Sequence, residues 1–535
     1  MNKIKHTAIT AGALMLTLVP TVGSTGSLSG YAADTPPIYY YGGGNRLVSD
    51  EWEATISGFY GEYADLHEYK GNKENVVIPE YFEEMKVREC DIVWSDHPFV
   101  KSVTYPDVEF YSYYIADSNV EDLYLPYVTD ASEICFEGNE KLKIIGFADS
   151  VNTLEFTSDA FKDCTALEKV NMPTEYKRVK VGSYAFSNTN LSEVDYDKPS
   201  VIGRSAFANC RSLKSVKLNN SEVDSRAFSD CNALEEISFS GSIALSDLSI
   251  YNCPELENID LTDAEVTSDA SFDNCPKLMN INSKPAFDSK TGDFVPEYKE
   301  FIFEHFASSD NVGFVDQYVT AQVRKVVAEN ITDDMTDVEK VRALHDWICR
   351  NTEYDPGDET SRKNHNDASV FMNETTVCEG YARILNLLCH DAGIETCFVQ
   401  NGIHSWNIVK LGCHYFHIDT TWDDIDSSSI SYDWFMRSDA EMKKAGGAHA
   451  SWKICKPTSL HSFQSNVTPV CEYSMGDMNT DGEVGVSDLV KMSRYLLGKE
   501  SISEDDLPLS DLDLSGNTDV FDMIKLRKVL VNSAE

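Results

Sequence analysis

Basic residues are scarce in this chain. Lys and Arg total 45 against 88 Asp and Glu, a formal net charge of −43 over 535 residues. A surface this acidic repels phosphate backbones and anionic headgroups, so it disfavours nucleic-acid and acidic-lipid partners and suits calcium. Long apolar runs are also missing: beyond the first 33 residues nothing approaches the roughly 20 residues a membrane span requires. No C-x-x-C or H-x-x-x-H spacing marks a zinc site, and no pair of acids stands out as a glycosidase couple. Yet 42% hydrophobic and 25% charged content is that of folded material, and the length predicts three or four domains.

What is present begins with a targeting pattern. Lys3 and Lys5 precede the mostly apolar Ala8 to Val22, and Gly30 and Ala32 supply small residues before a cut ahead of Ala33. Residues 1–33 therefore read as a signal peptide and the mature protein as secreted, with a retained anchor as the alternative. Residues 34–64 read as a lead-in or cap. Fourteen cysteines in a secreted chain would ordinarily suggest disulfides. Their placement argues otherwise for five of them.

Cys164, Cys210, Cys231, Cys253 and Cys275 share one position of an internal repeat, F-x-x-C-x-x-L-x-x-[V/I], and read as buried. It runs from Phe161/Cys164/Leu167/Val170 to Phe272/Cys275/Leu278/Ile281, with a degenerate copy at Phe186 that has Thr189 near the Cys place. A period of about 20–29 residues is that of leucine-rich repeats, predicting a solenoid over 65–285 with short strands along one face. The pairs Ala160-Phe161, Ala185-Phe186, Ala206-Phe207 and Ala227-Phe228, with an early Val76-Val-Ile-Pro79, resemble BspA-type repeats. That resemblance implies binding or spacing on proteins or surfaces, and a spacer without ligand stays open.

A short linker, 286–299, is expected before the periodicity turns helical. Thr336 and Glu339 form a capping box ahead of Val338, Val341, Leu344 and Ile348. A second box is expected at Thr376-Val377-Cys378-Glu379. With Thr376 as N-cap, Cys378 falls in the first turn, where free N–H groups and the helix dipole favour thiolate over thiol. Gly393 ends that helix. His404 precedes one apolar run and Asp419 follows the alternating Tyr415-Phe-His-Ile418, so two adjacent strands would bring them together beside the helix start. Cys–His–Asp is the logic of attack, proton shuttling and imidazole orientation.

The phrases Val377-Cys-Glu-Gly-Tyr-Ala382, His404-Ser-Trp-Asn407 and Tyr415-Phe-His-Ile-Asp-Thr-Thr-Trp-Asp-Asp424 resemble the transglutaminase-like (papain-like) superfamily. Residues 340–349 and Trp434-Phe435 also fit, and the domain is placed at 300–460. The resemblance implies Cys378 as nucleophile, His404 as base and Asp419 as its partner, with the Cys378 N–H as one oxyanion donor. Thr420 stands where the family usually has Pro. Cys413, His414, His417 and Asp419 offer an alternative zinc set.

After a second linker, 461–475, the segment 476–535 carries two loops. Asp477, Asn479, Asp481 and Asp488 fall at calcium-loop positions 1, 3, 5 and 12, with the Glu483 carbonyl at 7 and Gly482 at 6. Asp511, Asp513, Ser515, Asn517 and Asp522 repeat the plan around Gly516. Helical runs follow both loops. Duplicated loop–helix units with Asp at position 12 resemble a type I dockerin, which implies two Ca2+ ions and docking onto a scaffold cohesin of a cellulosome. The recognition positions fall on Val486, Ser487, Ser493 and Arg494, and on Val520, Phe521, Arg527 and Lys528.

The resulting architecture is multidomain α+β: a leucine-rich-repeat solenoid, a papain-like α+β domain and a small all-α calcium module. The expected function is acyl transfer through a thioester on protein substrates, to water or to an amine. A non-catalytic adhesion subunit that binds through its repeats is the rival, and a carbohydrase ranks third.

Overall fold

Each repeat places its conserved residues inward and its short strand beside the strand of the next unit. The computed structural model describes residues 46–532, except 58–62, 107–112, 115–117, 126–133, 148, 150–152, 268–271, 358, 360–361, 427–428 and 456–466. The expected signal peptide and the lead-in up to residue 45 lie outside the described residues. Asn75–Val77 pairs parallel with Ser102–Thr104. Parallel pairing continues through an eight-stranded sheet including Glu193–Ile202, Ser215–Val223, Glu236–Leu245 and Asn258–Val266. Alternation puts Val216, Leu218 and Val223 inside and charged residues outside.

The repeat cysteines are fully buried, and the thiols of Cys164, Cys210, Cys231 and Cys253 each donate to a Phe carbonyl one turn back. Cys210 Sγ donates to the Phe186 carbonyl at 3.2 Å, Cys231 to Phe207 at 3.3 Å and Cys253 to Phe228 at 3.2 Å. In the degenerate copy Thr189 Oγ1 instead donates within its own unit, to the Phe186 carbonyl at 2.9 Å, and lies 3.3 Å from Cys210 Sγ of the next unit. Phe161, Phe186, Phe207 and Phe228 stack at successive centroid separations of 5.3, 5.4 and 5.3 Å. The residue before each Cys is Asn or Asp with φ near +60°, as at Asp163 (61°), Asn209 (60°) and Asp230 (58°). Their short polar side chains tolerate this left-handed conformation.

Both ends of the stack are covered. At the N-terminal end Trp52–Ser57 pairs antiparallel with Tyr63–Tyr69, and Trp52, Tyr69 and Trp94 close the core. Residues 63–69 join the cap to the repeats, pairing antiparallel with Trp52–Ser57 on one side and parallel with Met85–Cys90 on the other. At the other end the expected linker 286–299 is packed structure: a hairpin of Phe287–Asp288 with Asp293–Phe294, then the helix Pro296–His305. Ala286 and Phe294 are buried.

The following residues form one more rung. Phe306 stacks on Phe272 at 5.3 Å. Asn311, at φ 55°, donates from Nδ2 to Asn274 Oδ1, and Asn274 Nδ2 donates in turn to Asn252 Oδ1 at 2.7 Å. Val312 bridges to Cys275. Salt bridges reinforce the join: Arg362 reaches Asp247 at 2.9 Å and also contacts Asp273, while the buried Arg383 grips Asp310 at 2.8 and 2.9 Å. Burial, with the charges of Asp367 and Asp310, pushes Asp316 beside this cluster up to about 8.

Beyond the rung, helices Gly313–Asn330, Asp337–Asn351 and Cys378–Asp391 pack with a five-stranded antiparallel sheet. Its order is Phe435–Arg437, His414–Ile418, Ser405–Leu411, Thr396–Gln400, Lys453–Ile454. Thr336 and Glu339 form their capping box. Part of the second expected linker also packs: Cys471 is buried and its backbone pairs with Asp439, whose N–H donates to the Cys471 carbonyl at 2.8 Å. Residues 461–466 lie outside the described residues. The C-terminal helices Val486–Leu496 and Val520–Asn532 meet over Met478, Met492 and Leu526.

Because the last rung belongs to both modules, solenoid and helical domain should unfold together. Phe306→Ala removes a buried ring and should cost about 3–5 kcal/mol. Calorimetry should then show one lowered transition for both modules; a solenoid transition left in place would count against the shared core.

Candidate active site

The helix that carries Cys378 begins at that residue, with Val377 as N-cap and no side-chain cap. The expected Thr376–Glu379 capping box does not form. Thr375–Thr376 pairs with Glu353–Tyr354, which turns Thr376 inward, where its hydroxyl donates to the Asn364 carbonyl at 2.8 Å and meets Ser369 Oγ at 2.8 Å. Glu379 instead faces His365 Nδ1 at 3.0 Å. A side chain at Gly380 would collide with the Thr376 hydroxyl, so the glycine is dictated by this close approach. Cys378 stays in the first turn but at the first helical position rather than the second, half-buried, with the unpaired N–H groups of that turn around it.

His404 and Asp419 sit at the same end of one hairpin. Ser405–Leu411 and His414–Ile418 pair antiparallel with Asn407 opposite Ile418, so the residue before the first strand and the residue after the second come together. A tight turn fixes His404: Asn401 Oδ1 accepts from the N–H groups of Ile403 at 3.1 Å and His404 at 3.0 Å. Asp419 N-caps the short helix Thr420–Asp423, accepting from Trp422 N–H at 3.3 Å. The Asn407 amide ties this strand to the Ala382 carbonyl of the Cys378 helix at 2.9 Å.

His404 Nε2 lies 2.5 Å from Asp419 Oδ2, and both residues are buried. Burial opposes a charged imidazole here, but hydrogen bonds to Asp419 and to the Cys378 thiol outweigh it and push His404 up to about 9. For Asp419 burial likewise opposes charge, and its hydrogen bonds to His404 and His449 still hold it below the usual carboxylate range. With Nε2 committed to Asp419, Nδ1 is the nitrogen left for the thiol.

Four neighbours were not foreseen from sequence. His449 also contacts Asp419, with Nε2 at 2.7 Å. His365, raised chiefly by its hydrogen bond to Glu379, and Tyr354, raised by burial, both feel the charge of Cys378. Trp422, 45% exposed, stands 5.7 Å from the His404 ring. A lone His after Gly446-Gly447-Ala448 carries no local signal, and only the fold places it.

The zinc alternative does not assemble. Cys413 and His414 turn toward Asp506, His417 pairs with Asp439 at 3.0 Å, and Asp419 belongs to His404 and His449. His417 Nδ1 accepts from Trp406 Nε1–H at 2.9 Å, which spends its second nitrogen on a structural bond.

In the C-terminal module each loop folds around its carboxylates. Asp477 accepts from the N–H groups of Asp481 at 3.2 Å and Gly482 at 2.9 Å, and Asp488 from Asn479 at 3.0 Å and Gly485 at 2.8 Å. In the second loop Asp511 accepts from Ser515 and Gly516, both at 2.8 Å, and Asp522 from Asp513 at 2.9 Å. Gly482 (φ 89°) and Gly516 (φ 85°) make the turns at position 6. Oxygens of Asp511, Asp513 and Asp522 lie within 4.8 Å of one another, an all-oxygen donor set that fits a hard cation. Of the eight candidate recognition residues, Val486, Ser487, Arg494, Val520, Phe521, Arg527 and Lys528 are exposed, while Ser493 is half-buried and donates to the Leu489 carbonyl at 2.7 Å. Arg342 of the helical domain donates to the Leu514 carbonyl at 2.6 Å, so the second loop rests against that domain.

The raised His404 makes stability depend on pH. Its pairing contributes fully below the ordinary histidine value of 6.5 and is lost as pH rises through about 9. The unfolding midpoint of the wild type should therefore fall across that window more steeply than that of Asp419→Asn. Identical slopes in thermal melts would contradict the assignment of the raised group.

Comparisons with known proteins agree on two regions. The BspA type leucine rich repeat region matches in six copies over residues 109–214 and 179–289, and the transglutaminase-like superfamily matches residues 324–420. The human kyphoscoliosis peptidase is 26% identical over 207 residues, covering 34% of this chain and 31% of that protein. The mouse kyphoscoliosis peptidase is 24% identical over 213 residues, covering 35% and 32%. The chain thus spans about a third of the length of these curated relatives. Among solved structures, a leucine rich cell surface protein of Faecalibacterium prausnitzii is similar at 17% identity and a TM-score of 0.24, covering 46% of this chain and 82% of that one. The Treponema (T. pallidum) leucine rich repeat protein is similar at 16% identity and a TM-score of 0.23, covering 50% and 98%. Among the described residues no helix is long and apolar enough to cross a membrane. The chain carries a BspA-type leucine-rich-repeat region followed by a transglutaminase-like domain.

Proposed function

We propose that the protein is a secreted cysteine enzyme that transfers acyl groups on protein substrates, with Cys378 as nucleophile, His404 as base and Asp419 as its orienting partner. The observation that carries this is the His404–Asp419 contact of 2.5 Å beside a half-buried cysteine at a helix start, whose side chain helps to raise the same imidazole. The thiolate attacks an amide carbonyl, forming an S–C bond. His404 passes its proton to the leaving nitrogen as the C–N bond breaks. Water or an amine then attacks the thioester while His404 takes its proton, and the S–C bond breaks. The Cys378 N–H serves as one oxyanion donor. The printed name of the curated relatives favours water as acceptor, hence a peptidase.

The C-terminal module supports a second element of the reading: two calcium ions held by Asp477, Asn479, Asp481, the Glu483 carbonyl and Asp488, and by Asp511, Asp513, Ser515, the Asn517 carbonyl and Asp522. The exposed apolar residues Val486, Val520 and Phe521 would then meet a cohesin, placing the enzyme on a cellulosome scaffold. The repeats would bind a protein or a surface.

Cys378→Ala should lower turnover by roughly a thousandfold or more, His404→Ala almost as far, and Asp419→Ala less, since it acts through the imidazole. Incubation of a protein substrate with a labelled primary amine separates the outcomes: new termini without label mean hydrolysis, and label at glutamine means transamidation. Activity surviving Cys378→Ala would reject the mechanism.

Without the ion the clustered carboxylates repel one another, so chelation should reduce the helicity of the last 60 residues and cohesin binding together. Full binding in excess chelator would sink the docking assignment.

A further inference from the structure

The carboxylate that orients His404 holds a second imidazole. His449 ends a short turn, Gly447–His449, entered through Gly446 (φ 69°) and Gly447 (φ 58°), angles that favour glycine. Its Nε2 reaches the same Asp419 Oδ2 as His404 Nε2, at 2.7 against 2.5 Å, and all three residues are buried. An ionised carboxylate only accepts, so both Nε2 atoms donate. For His404 this fixes the tautomer whose Nδ1 can exchange a proton with the thiol.

For His449 the consequence is a box. Its ring stacks on Trp434 at 4.3 Å, with Trp422 at 4.6 Å and Trp406 at 5.1 Å edge-on. Nδ1 is buried there without a hydrogen-bond partner among the described residues. Burying an unpaired ring nitrogen is costly, and a phenyl ring would fill the box without that cost. What imidazole supplies and phenyl cannot is the N–H on Asp419.

We propose that His449 is a positioning residue of the acyl-transfer site: it pins the Asp419 carboxylate and shares its charge, so that His404 is held in the productive tautomer and orientation. This rests on the reading of Cys378, His404 and Asp419 given above. Apart from the two imidazoles, the Asp419 side chain takes only the Trp422 N–H at 3.3 Å among the described residues, a weak hold on a group that must not turn. The titratable groups facing the trio are Cys378 from the helix start, Asp423 from the short helix and His417 from the neighbouring strand.

Two variants of the full chain test this. His449→Phe keeps the ring stack and removes the donor, while His449→Gln keeps an N–H within reach. Steady-state hydrolysis of p-nitrophenyl acetate reports thioester resolution by His404. Iodoacetamide labelling of Cys378, mapped by mass spectrometry across pH, reports the step at which His404 loses its proton without needing a substrate. His449→Phe should lower kcat roughly ten- to hundred-fold with little change in KM. It should also move the upper step of the labelling profile upward by about half to one pH unit, because the whole Oδ2 charge then falls on His404. His449→Gln should recover most of both.

A Phe variant with the wild-type upper step overturns the proposal. So does one that merely yields less folded protein while its titratable Cys378 fraction turns over at the wild-type rate. If Cys378→Ala itself hydrolyses the ester at the wild-type rate, the catalytic reading has failed instead. If that variant is inactive and His449→Phe is not impaired, only the role of His449 falls.

Discussion

A leucine-rich repeat buries only the sides that touch its neighbours, so the stack is stable only if something covers each end. That constraint organises most of this protein. The first described strands bend back antiparallel to close one end with Trp52 and Tyr69, and the chain leaving the other end repeats the inward phrase once more before becoming helical. Phe306, Asn311 and Val312 are simultaneously the last rung of the solenoid and the floor of the transglutaminase-like domain. Arg383 lies on the Cys378 helix and is anchored to Asp310 within that rung. The orientation of the Cys378 helix is therefore set in part by the solenoid's cap.

The site itself depends on burial acting against charge and losing. Water is excluded from His404 and Asp419, which penalises both ions, yet short hydrogen bonds in that low-dielectric setting keep the pair charged. The same exclusion elsewhere has the opposite outcome. The repeat thiol of Cys210, without a cation to face, is pushed by burial up to about 11. Two kinds of cysteine in one chain thus differ by what surrounds them: carbonyls and rings in the solenoid, an imidazole and a helix start at Cys378.

The acidic surplus is not spread as a featureless coat. Part is spent on the salt bridges that join modules, such as Asp247 and Asp273 with Arg362, and part on loops whose backbone N–H groups gather carboxylates. The C-terminal module rests its second loop on the helical domain through Arg342 and leaves Val520 and Phe521 outward.

The repeat phrase alone determined the solenoid, because a fixed period with one buried face admits few other structures, and the Thr336 capping box was equally local. The segment order Cys378, His404, Asp419 was legible because strand alternation and hairpin pairing are short-range rules. What sequence could not decide depended on competition between partners distant along the chain. Thr376 abandoned its expected cap because residues 353–354 offered it a strand, and the expected linker 286–299 packed because a rung needed covering. His449 joined Asp419 from 30 residues away, a placement that no local pattern encodes and that only the closing of the Trp-lined box brings about.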